Sequence, residues 1–454
     1  MDYPTIEDFV GNTPLVRLQR LPGSSTNTVL VKLEGNNPAG SVKDRPALSM
    51  IAHAEARGLI KPGDTLIEAT SGNTGIGMAL AGAVRGYRII ITMPEKMSRE
   101  KQVILEALGA EIVRTPTEAA WDAPESHIGV AKRMQKELPN AHILDQYGNP
   151  SNPDAHYHGT AQEILDAMDG MSIDMIVVGA GTGGTITGIA RKIKEVHPDC
   201  LVVGADPIGS ILAGGEHVAP YKVEGIGYDF IPNVLNRDLV DTWVKTSDRQ
   251  SFQLARRLIQ DEGLLCGGSS GSALAAALSE AKRLGRDQNC VVLLPDGVRN
   301  YMTKFVDDAW MRENHFVGGE IIPGTVSDLL ESKPVIELIC LEQDRPVNEA
   351  IGLMREKGIS QIPITANGAL VGLVTEADLL DFLTIGGGGA GVPLADAMRR
   401  SVPTVESQTA LGALDEMIDI AGSVVVIDSE RRPVQILTKI DLVEWLVPRA
   451  GQVH

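Results

Sequence analysis

From about residue 8 to about residue 318, short apolar runs rich in β-branched residues alternate with longer, Ala-rich segments whose apolar residues recur every three or four positions. The short runs predict buried strands, and the longer segments predict amphipathic helices. Such alternation is typical of mainly parallel sheets with helices on both faces, where ligands bind at the carboxyl ends of the strands. Strands are predicted at 29–33, 88–93, 175–179, 201–204 and 290–294, and helices at 45–57, 99–108 and 251–262.

A different pattern follows residue 325. Two pieces of roughly sixty residues, joined by a Gly-rich stretch, repeat one another so that Thr375 and Asp378 recur as Thr438 and Asp441. Each copy predicts the order strand, helix, strand, strand, helix. We therefore expect a large domain at 1–318, a linker at 319–325, a first module at 326–383, a Gly-rich linker at 384–392 and a second module at 393–447.

Charge and composition exclude several function classes. The 454 residues carry 59 Asp and Glu against 41 Lys and Arg, a formal charge of −18, and nucleic-acid affinity depends on Lys and Arg. The first residues lack the pattern of a secretory signal, and no long apolar run suggests a membrane span. Four scattered Cys residues indicate reduced thiols without a structural metal. We expect a cytoplasmic protein that binds neither nucleic acid nor membrane.

Lys43 lies at the predicted start of a helix, after a loop rich in Gly, Pro and Asn. The positive end of the helix dipole and burial would both lower the pKa of its amine, as a nucleophilic amine requires. For this segment alone, a surface lysine in a first helical turn remains the alternative.

Three further polar or Gly-rich turns precede predicted helices, at residues 70–75, 181–185 and 264–272. The first suits a carboxylate and the second a single phosphate, because backbone N–H groups converge at a helix N-terminus. The second turn lacks the patterns of a dinucleotide fingerprint and of a Walker loop. Taken singly, each turn could be an ordinary helix cap.

An amine, a carboxylate turn, a phosphate cup and a hydroxyl at one sheet edge are together what pyridoxal phosphate held as a Schiff base requires. Residues 7–316 resemble the fold-type II pyridoxal-phosphate enzymes, and within them the cysteine synthase and cystathionine β-synthase family. The resemblance implies an α/β fold with two open, mainly parallel sheets and pyridoxal 5'-phosphate as cofactor.

The resemblance also implies a role for each site residue. Lys43 would bind the cofactor and move the substrate α-proton, while Ser71 and Tyr147 would assist β-elimination. The cofactor would be bound by Lys43, Asn73, Gly181, Thr182, Gly183, Gly184, Thr185 and Ser269. The substrate would be bound by Thr70, Ser71, Thr74, Gln146, Glu224, Tyr228 and Asp229. A hydroxyl such as Ser269 at the ring nitrogen leaves that nitrogen unprotonated, which favours loss of a β-substituent.

Segments 224–232, 263–269 and 298–305 resemble cystathionine β-synthase more than cysteine synthase. Glu224, Tyr228 and Asp229 would suit a second substrate that is itself an amino acid, although a salt-bridged loop is the structural alternative. The expected reaction joins L-serine and L-homocysteine into L-cystathionine and water, with hydrogen sulfide release from cysteine plus homocysteine as a further possibility. The alternatives are a cysteine synthase using O-acetylserine or O-phosphoserine with sulfide, and a nucleotide-sensing scaffold with a degenerate enzyme domain.

The repeat resembles a Bateman pair of α+β modules of the cystathionine-β-synthase type. Thr375 and Asp378 would bind the ribose of an adenosine-type effector, whereas the second copy has Gln435 where the first has Gly372, so at most one such site is expected. A purely structural, dimer-forming pair of modules is the alternative. We expect a homodimer or higher homo-oligomer. The animal enzymes carry a haem segment before the core motif, which here starts at Val10, so no haem is expected. The His156 and His158 pair, on an apparently irregular stretch, is not expected to bind a metal.

Overall fold

The structure is a computed structural model, and it divides into two compact units, Met1–Val317 and Gly318–His454. It describes residues 3–22, 27–70, 72–95, 97–116, 123–215, 218–316, 324–333, 338–384, 389–400, 402–409, 411, 414, 417–418 and 421–447. None of the helices among these residues has the length and apolarity that a membrane crossing requires.

The first unit contains a six-stranded sheet with the spatial order β1-β2-β10-β7-β8-β9. All neighbours pair in parallel except β1 and β2, which are antiparallel. These strands are β1 (Leu15–Arg17), β2 (Thr28–Leu33), β7 (Met175–Gly179), β8 (Leu201–Pro207), β9 (Thr242–Thr246) and β10 (Asn289–Leu294).

A second sheet of four parallel strands has the order β5-β4-β3-β6. Its strands are β3 (Thr65–Ala69), β4 (Arg88–Pro94), β5 (Glu111–Thr115) and β6 (Ala141–Ile143). The helices of this unit are α1 (Asp44–Ala56), α2 (Asn73–Arg85), α3 (Arg99–Ala107), α4 (His127–Glu137), α5 (Ser151–Ala155), α6 (Ala161–Met168), α7 (Gly184–Val196), α8 (Asp248–Glu262), α9 (Gly268–Glu280) and α10 (Asp308–Glu313).

Both sheets bury apolar side chains on both faces. In β7, Ile176 and Val178 pack into a core with α6 and α7, whereas Met175 and Val177 pack on the other face with α9. In β3, Leu66 packs with α1 and α2 on one face. This burial explains why the strands are continuous apolar runs, and it confirms the predicted α/β class.

The second unit holds two three-stranded sheets with the same topology, β11-β12-β13 and β14-β15-β16. In each, the first pair is parallel and the second antiparallel. The strands are β11 (Leu341–Glu342), β12 (Gln361–Ala366), β13 (Ala369–Thr375), β14 (Thr404–Val405), β15 (Ser423–Ile427) and β16 (Pro433–Thr438), and the helices are α11 (Val326–Ser332), α12 (Val347–Lys357), α13 (Glu376–Thr384) and α14 (Lys439–Leu446). The described residues between 411 and 421 are helical, so the predicted element order of both copies is confirmed.

Candidate active site

The candidate site is a small cavity in the first unit at the carboxyl ends of strands from both sheets. Strand β3 of the four-stranded sheet leads to Asn73, and strands β7 and β10 of the six-stranded sheet lead to Thr182 and Pro295. The described residues that line the cavity are Val42, Lys43, Asn73, Thr74, Gln146, Thr182, Gly225, Tyr228, Ser269 and Pro295. Seven residues predicted from the sequence therefore share one space.

Lys43 is the N-cap residue of α1 and is partly buried. Its loop is attached to the end of β10, because the Val42 amide donates to the Pro295 carbonyl at 2.8 Å and Ser41 forms an antiparallel bridge with Asp296. Burial lowers the pKa of the Lys43 amine to about 8, although the charges of Asp296 and Glu34 act in the opposite direction. The amine can therefore both accept and release a proton near neutral pH.

Asn73 opens α2, and its amide is oriented by buried polar groups. Nδ2 donates to Asp296 Oδ2 at 2.8 Å, and Oδ1 accepts from Asn300 Nδ2 at 3.3 Å. The Tyr301 hydroxyl donates to the same Asp296 oxygen, and burial raises the pKa of this carboxyl. The sequence did not identify Asp296, although its position directly after β10 was a usable signal.

The carboxylate turn connects β3 to α2, and its hydroxyls are already engaged. Thr70 Oγ1 accepts from the Gly72 amide at 3.1 Å, and Thr74 Oγ1 donates to Gln146 Oε1 at 2.7 Å. The Gln146 amide group donates from Nε2 to the Ala69 carbonyl at 2.9 Å. The turn and Gln146 thus act as one hydrogen-bonded group, whereas Ser71, assigned to the substrate and to β-elimination, lies outside the described residues.

The glycine turn after β7 lies against other parts of the unit at distances that exclude side chains. A Cβ atom at Gly181 would lie 2.5 Å from the Gly225 carbonyl oxygen, one at Gly183 would lie 2.4 Å from Leu235 Cβ, and one at Gly184 would lie 2.1 Å from Asn152 Oδ1. Gly183 also has a φ of +86°, which favours glycine. The turn ends at the N-terminus of α7, where backbone N–H groups suit an anion.

Ser269 lies in the first turn of α9, is 2% exposed and lines the cavity. It therefore lies in the same space as Lys43 and Asn73, although Ser269 is more than 190 positions from either of them in the sequence. Cys266, which precedes it, forms a bridge with Gly297 in the segment after β10. This bridge fixes the approach of α9 to the cavity.

The three residues predicted to bind a second substrate, Glu224, Tyr228 and Asp229, have different environments in the structure. Tyr228 lines the cavity, and its hydroxyl lies 3.3 Å from that of Tyr147. Glu224 is buried and paired with Lys101 at 2.7 Å and with Lys304 at 2.5 Å. Against the effect of burial, the two ammonium groups lower the pKa of Glu224. The salt-bridged arrangement considered above is thus present for Glu224, and Asp229 is partly exposed and does not line the cavity.

Burial keeps both tyrosines of this pair neutral, since it raises the pKa of Tyr228 to about 12 and that of Tyr147 well above its ordinary value. Their rings meet edge to face, with centroids 5.5 Å apart. The pair therefore offers hydroxyl groups, not phenolates, beside the cavity.

The expectation that His156 and His158 lie on an irregular stretch was wrong. They belong to a π-helical turn, His156–Thr160, that connects α5 to α6. His156 is buried and bonded to two threonine hydroxyls, Thr160 and Thr185, whereas His158 is exposed. Among the described residues there is no group of three or more His, Cys, Asp or Glu side chains that could hold a metal ion.

In the second unit, Thr375 and Asp378 form a local hydrogen-bonded pair. Asp378 Oδ2 accepts from the Thr375 hydroxyl at 2.7 Å and from the Thr375 amide at 3.0 Å, and the carboxylate is also paired with Arg399. Thr438 and Asp441 repeat this capping arrangement in the second copy. The shared motif therefore caps a helix in both modules, whichever of them binds a ligand.

Comparison with known proteins agrees with this geometry. The family model described as "Pyridoxal-phosphate dependent enzyme" matches residues 6–296, and the "CBS domain" model matches residues 326–385. The chain is 50% identical to cystathionine beta-synthase of Dictyostelium discoideum, covering 97% of this chain and 92% of that protein. It is 46% identical to cysteine synthase B of Pseudomonas aeruginosa, covering 65% of this chain and 93% of that protein.

A solved structure described as O-acetylserine dependent cystathionine beta-synthase from Helicobacter pylori has a similar fold. It superposes with a TM-score of 0.62 at 38% sequence identity, covering 67% of this chain and 98% of that one.

Proposed function

The chain belongs to the pyridoxal-phosphate dependent enzymes, and within them to the cystathionine β-synthases, and from this premise we propose that it joins L-serine to L-homocysteine. In this reaction the serine hydroxyl takes up a proton and leaves as water, while the homocysteine thiol loses its proton as sulfur bonds to the β-carbon. The product is L-cystathionine. The observation that carries the proposal is the single cavity shared by Lys43, Asn73, Ser269 and Tyr228.

The residues present fit pyridoxal phosphate. The turn at 181–184 has no room for a side chain at Gly181, Gly183 or Gly184, and it offers backbone N–H groups at a helix N-terminus to a phosphate. We assign the phosphate to Gly181–Thr185, the 3-hydroxyl to Asn73, the ring nitrogen to Ser269 and the carbonyl carbon to the Lys43 amine. When bound, this cofactor supplies an electron-accepting ring that stabilises negative charge at the substrate α-carbon.

Lys43 is proposed to carry the α-proton. Its pKa of about 8 leaves about a tenth of the amine uncharged at pH 7, far more than an ordinary lysine has, so it can take a proton from the α-carbon and later return it. Asp296 and Glu34 limit the drop in this pKa that burial alone would cause.

Thr70, Ser71, Thr74 and Gln146 are proposed to hold the substrate carboxylate through neutral donors. The Thr74 hydroxyl now donates to Gln146, and it can turn to a carboxylate because a hydroxyl rotates freely about its C–O bond. Tyr147 and Ser71 are proposed to assist departure of the β-substituent. Ser269 contributes a hydroxyl and not a carboxylate, so it does not hold a proton on the ring nitrogen.

For the second substrate we propose the loop that contains Glu224, Tyr228 and Asp229. Tyr228 has direct access to the cavity, whereas Glu224 is held in its ion pairs with Lys101 and Lys304 and does not line the cavity. Replacement of Tyr228 by Phe should raise the Michaelis constant for homocysteine by a larger factor than it slows the first half-reaction with serine, in which its hydrogen-bond partner Tyr147 is proposed to act. Equal damage to both half-reactions would remove this loop from homocysteine recognition.

The decisive experiment supplies purified protein with three substrate pairs: serine with homocysteine, O-acetylserine with sulfide, and O-phosphoserine with sulfide. We expect the first pair to be turned over with the highest kcat/KM. Preference for a sulfide pair would instead make the chain a cysteine synthase, in line with its 46% identity to the Pseudomonas aeruginosa enzyme. Hydrogen sulfide production from cysteine plus homocysteine is proposed as a side activity and can be measured in the same assay.

The remaining proposals concern organisation. We propose that the chain divides into a catalytic domain at 1–318 and two modules at 326–383 and 393–447, joined by linkers at 319–325 and 384–392. An adenosine-type effector is proposed at Thr375 and Asp378, where the matched CBS domain has its Thr-x-x-Asp motif. A cytoplasmic homodimer or higher homo-oligomer is the proposed form.

A further inference from the structure

The proposed phosphate cup, residues 181–185, contains two threonines, Thr182 and Thr185. Each of them contacts a buried polar side chain from the segment that follows β6. Asn152, on α5, lies with Nδ2 3.1 Å from Thr182 Oγ1. His156, on the π-helical turn, lies with Nε2 3.1 Å from Thr185 Oγ1. Asn152 and His156 are 1% and 0% exposed, so water does not compete for these bonds. Neither residue lines the cavity, whereas Thr182, the partner of Asn152, does.

The direction of the Asn152 bond follows from a second contact of the same amide. Nδ2 lies 2.7 Å from the Gln146 carbonyl oxygen, which can only accept. The group there must therefore be the NH2, and its other hydrogen points to Thr182 Oγ1. Since this oxygen accepts from Asn152, the Thr182 hydroxyl hydrogen is available to another acceptor.

The His156 ring allows two tautomers. Its Nδ1 lies 2.9 Å from Thr160 Oγ1, and its Nε2 faces Thr185. Burial, with the nearby charges of Lys43 and Arg45, lowers the pKa of His156 well below its ordinary value, so the ring is neutral. With the proton on Nε2, Thr160 donates to Nδ1 and the ring donates to Thr185. With the proton on Nδ1, the Thr185 hydroxyl would donate its hydrogen to Nε2 of the ring and would have none left to donate elsewhere.

The backbone is arranged to allow these contacts. A Cβ atom at Gly188 of α7 would lie 2.1 Å from the Pro153 carbonyl oxygen and 2.8 Å from His156 Cβ, so α7 can approach this segment only because that position is glycine. The wide π-helical turn, rare in proteins and frequent at functional sites, begins at His156 itself. The Asn152 Oδ1 atom has no hydrogen-bond partner among the described residues, so the amide is fixed by its two donor contacts.

We propose that Asn152 and His156 are positioning residues that make the two threonine hydroxyls of the cup donate to the cofactor phosphate. Each residue donates to a threonine oxygen, and each threonine then donates its own hydrogen to a phosphate oxygen. A phosphate dianion accepts hydrogen bonds and donates none, so a cup of uniformly oriented donors binds it best. The inference rests on the proposed function, in which residues 181–185 hold that phosphate.

A double-mutant cycle on cofactor affinity tests this. Full-length holoenzyme is resolved from its cofactor, and the dissociation constant for pyridoxal phosphate is measured for His156→Leu, Thr185→Val and the double variant. We expect each single change to weaken binding on the order of tenfold, the loss of about one hydrogen bond to a charged group. The double variant should bind no more weakly than Thr185→Val alone, because His156 acts only through Thr185. If the losses of affinity in the two single variants multiplied in the double variant, the inference for His156 would be overturned.

Conservative variants separate orientation from packing. His156→Gln places an amide donor near the former Nε2 and should recover most of the affinity, whereas His158→Leu, on the exposed side of the same turn, should bind like the unaltered protein. The pair Asn152→Leu and Thr182→Val is tested by the same cycle. Failure of His156→Gln to bind better than His156→Leu would count against a donor role.

One measurement reads the tautomer directly, and because the chain has nine histidines, the His156 signals are assigned by their absence in His156→Gln. In 15N-histidine-labelled holoenzyme, we expect the His156 signals of a neutral ring protonated at Nε2, and a proton at Nδ1 would overturn the inference. The outcomes also separate the two proposals. If Thr182→Val and Thr185→Val leave cofactor affinity unchanged, the phosphate assignment and this inference both fail. If the threonine variants weaken binding but the cycles are additive, only this inference fails.

Discussion

The Asn73 side-chain amide donates to Asp296, with Nδ2 2.8 Å from Oδ2 across more than 220 residues of sequence. Asp296 is 2% exposed, and its other oxygen, Oδ1, has no hydrogen-bond partner among the described residues. The carboxylate fixes which end of the Asn73 amide is the NH2 group, and its charge also acts on Lys43. Asp296 thus connects the orientation of one site residue to the proton affinity of another.

Replacement of Asp296 by Asn should lower the pKa of Lys43 below about 8, because it removes a negative charge that favours the ammonium form. The measurement is the pH dependence of covalent pyridoxal phosphate attachment to cofactor-free protein, followed by visible absorption. Tyr301→Phe removes a hydrogen bond to the same oxygen and keeps the charge, so it should leave the midpoint nearly in place. An unchanged midpoint in Asp296→Asn would contradict the predicted electrostatic coupling.

In the unaltered protein, covalent attachment should accelerate as the pH rises and level off above about pH 8, because only the uncharged Lys43 amine reacts. An ordinary lysine would show this rise roughly two pH units higher. Lys43→Ala should abolish both attachment and turnover, whereas Lys61→Ala, at an exposed position, should change neither. Borohydride reduction that left the cofactor on another lysine would refute the role of Lys43.

Replacement of Ser269 by Asp should preserve cofactor binding but reduce β-replacement by about tenfold or more, a loss of about 1.4 kcal/mol in transition-state stabilisation. The reason is that a carboxylate at this buried position would favour a protonated ring nitrogen. Ser269→Ala, which adds no charge, is the matched control and should retain more activity than Ser269→Asp. Equal activity of Ser269→Asp and the unaltered protein would reduce Ser269 to a helix-terminal residue.

Glu68 lies in β3, and burial raises the pKa of its carboxyl to about 8. A raised carboxyl pKa contributes stability that is present below its unfolded value and is lost as the pH rises through about 8. Glu68→Gln cannot ionise and so removes this loss. The melting temperature of Glu68→Gln minus that of the unaltered protein should therefore increase by about 2 °C or more from pH 5 to pH 9. Glu137→Gln, on the exposed end of α4, should show no such trend. A flat difference for Glu68→Gln would mean that Glu68 is ionised in the folded protein.

Calorimetry with AMP, ATP and S-adenosylmethionine tests the module. We expect one adenosine-type site at most, lost in Asp378→Ala and retained in Asp441→Ala. Both variants remove an equivalent helix cap and should cost about 1 kcal/mol of stability, so Asp441→Ala controls for capping. Heat from none of the three compounds would leave the repeat as an assembly element, and binding that survives Asp378→Ala would locate the site elsewhere.

Much of the fold follows from local pattern. The predicted strand at 175–179 coincides with β7, and the predicted helix at 99–108 ends one residue beyond α3, because apolar periodicity is a local property of the chain. The helix predicted at 251–262 begins earlier, at Asp248, since Ser247 caps it by accepting from the Gln250 amide. The repeat, too, was visible in the sequence, because both copies keep the capping Thr and Asp.

The sequence by itself indicated that Lys43 and the turns containing Asn73 and Ser269 belong to one chemistry, because their residue types together suit a cofactor and resemble those of a known family. Only the tertiary structure decided how those groups are oriented and charged. It brought Asp296 to Asn73 and His156 to Thr185, and it paired Glu224 with two lysines. Burial and hydrogen-bond direction depend on neighbours far apart in the chain, so no local pattern could reveal them.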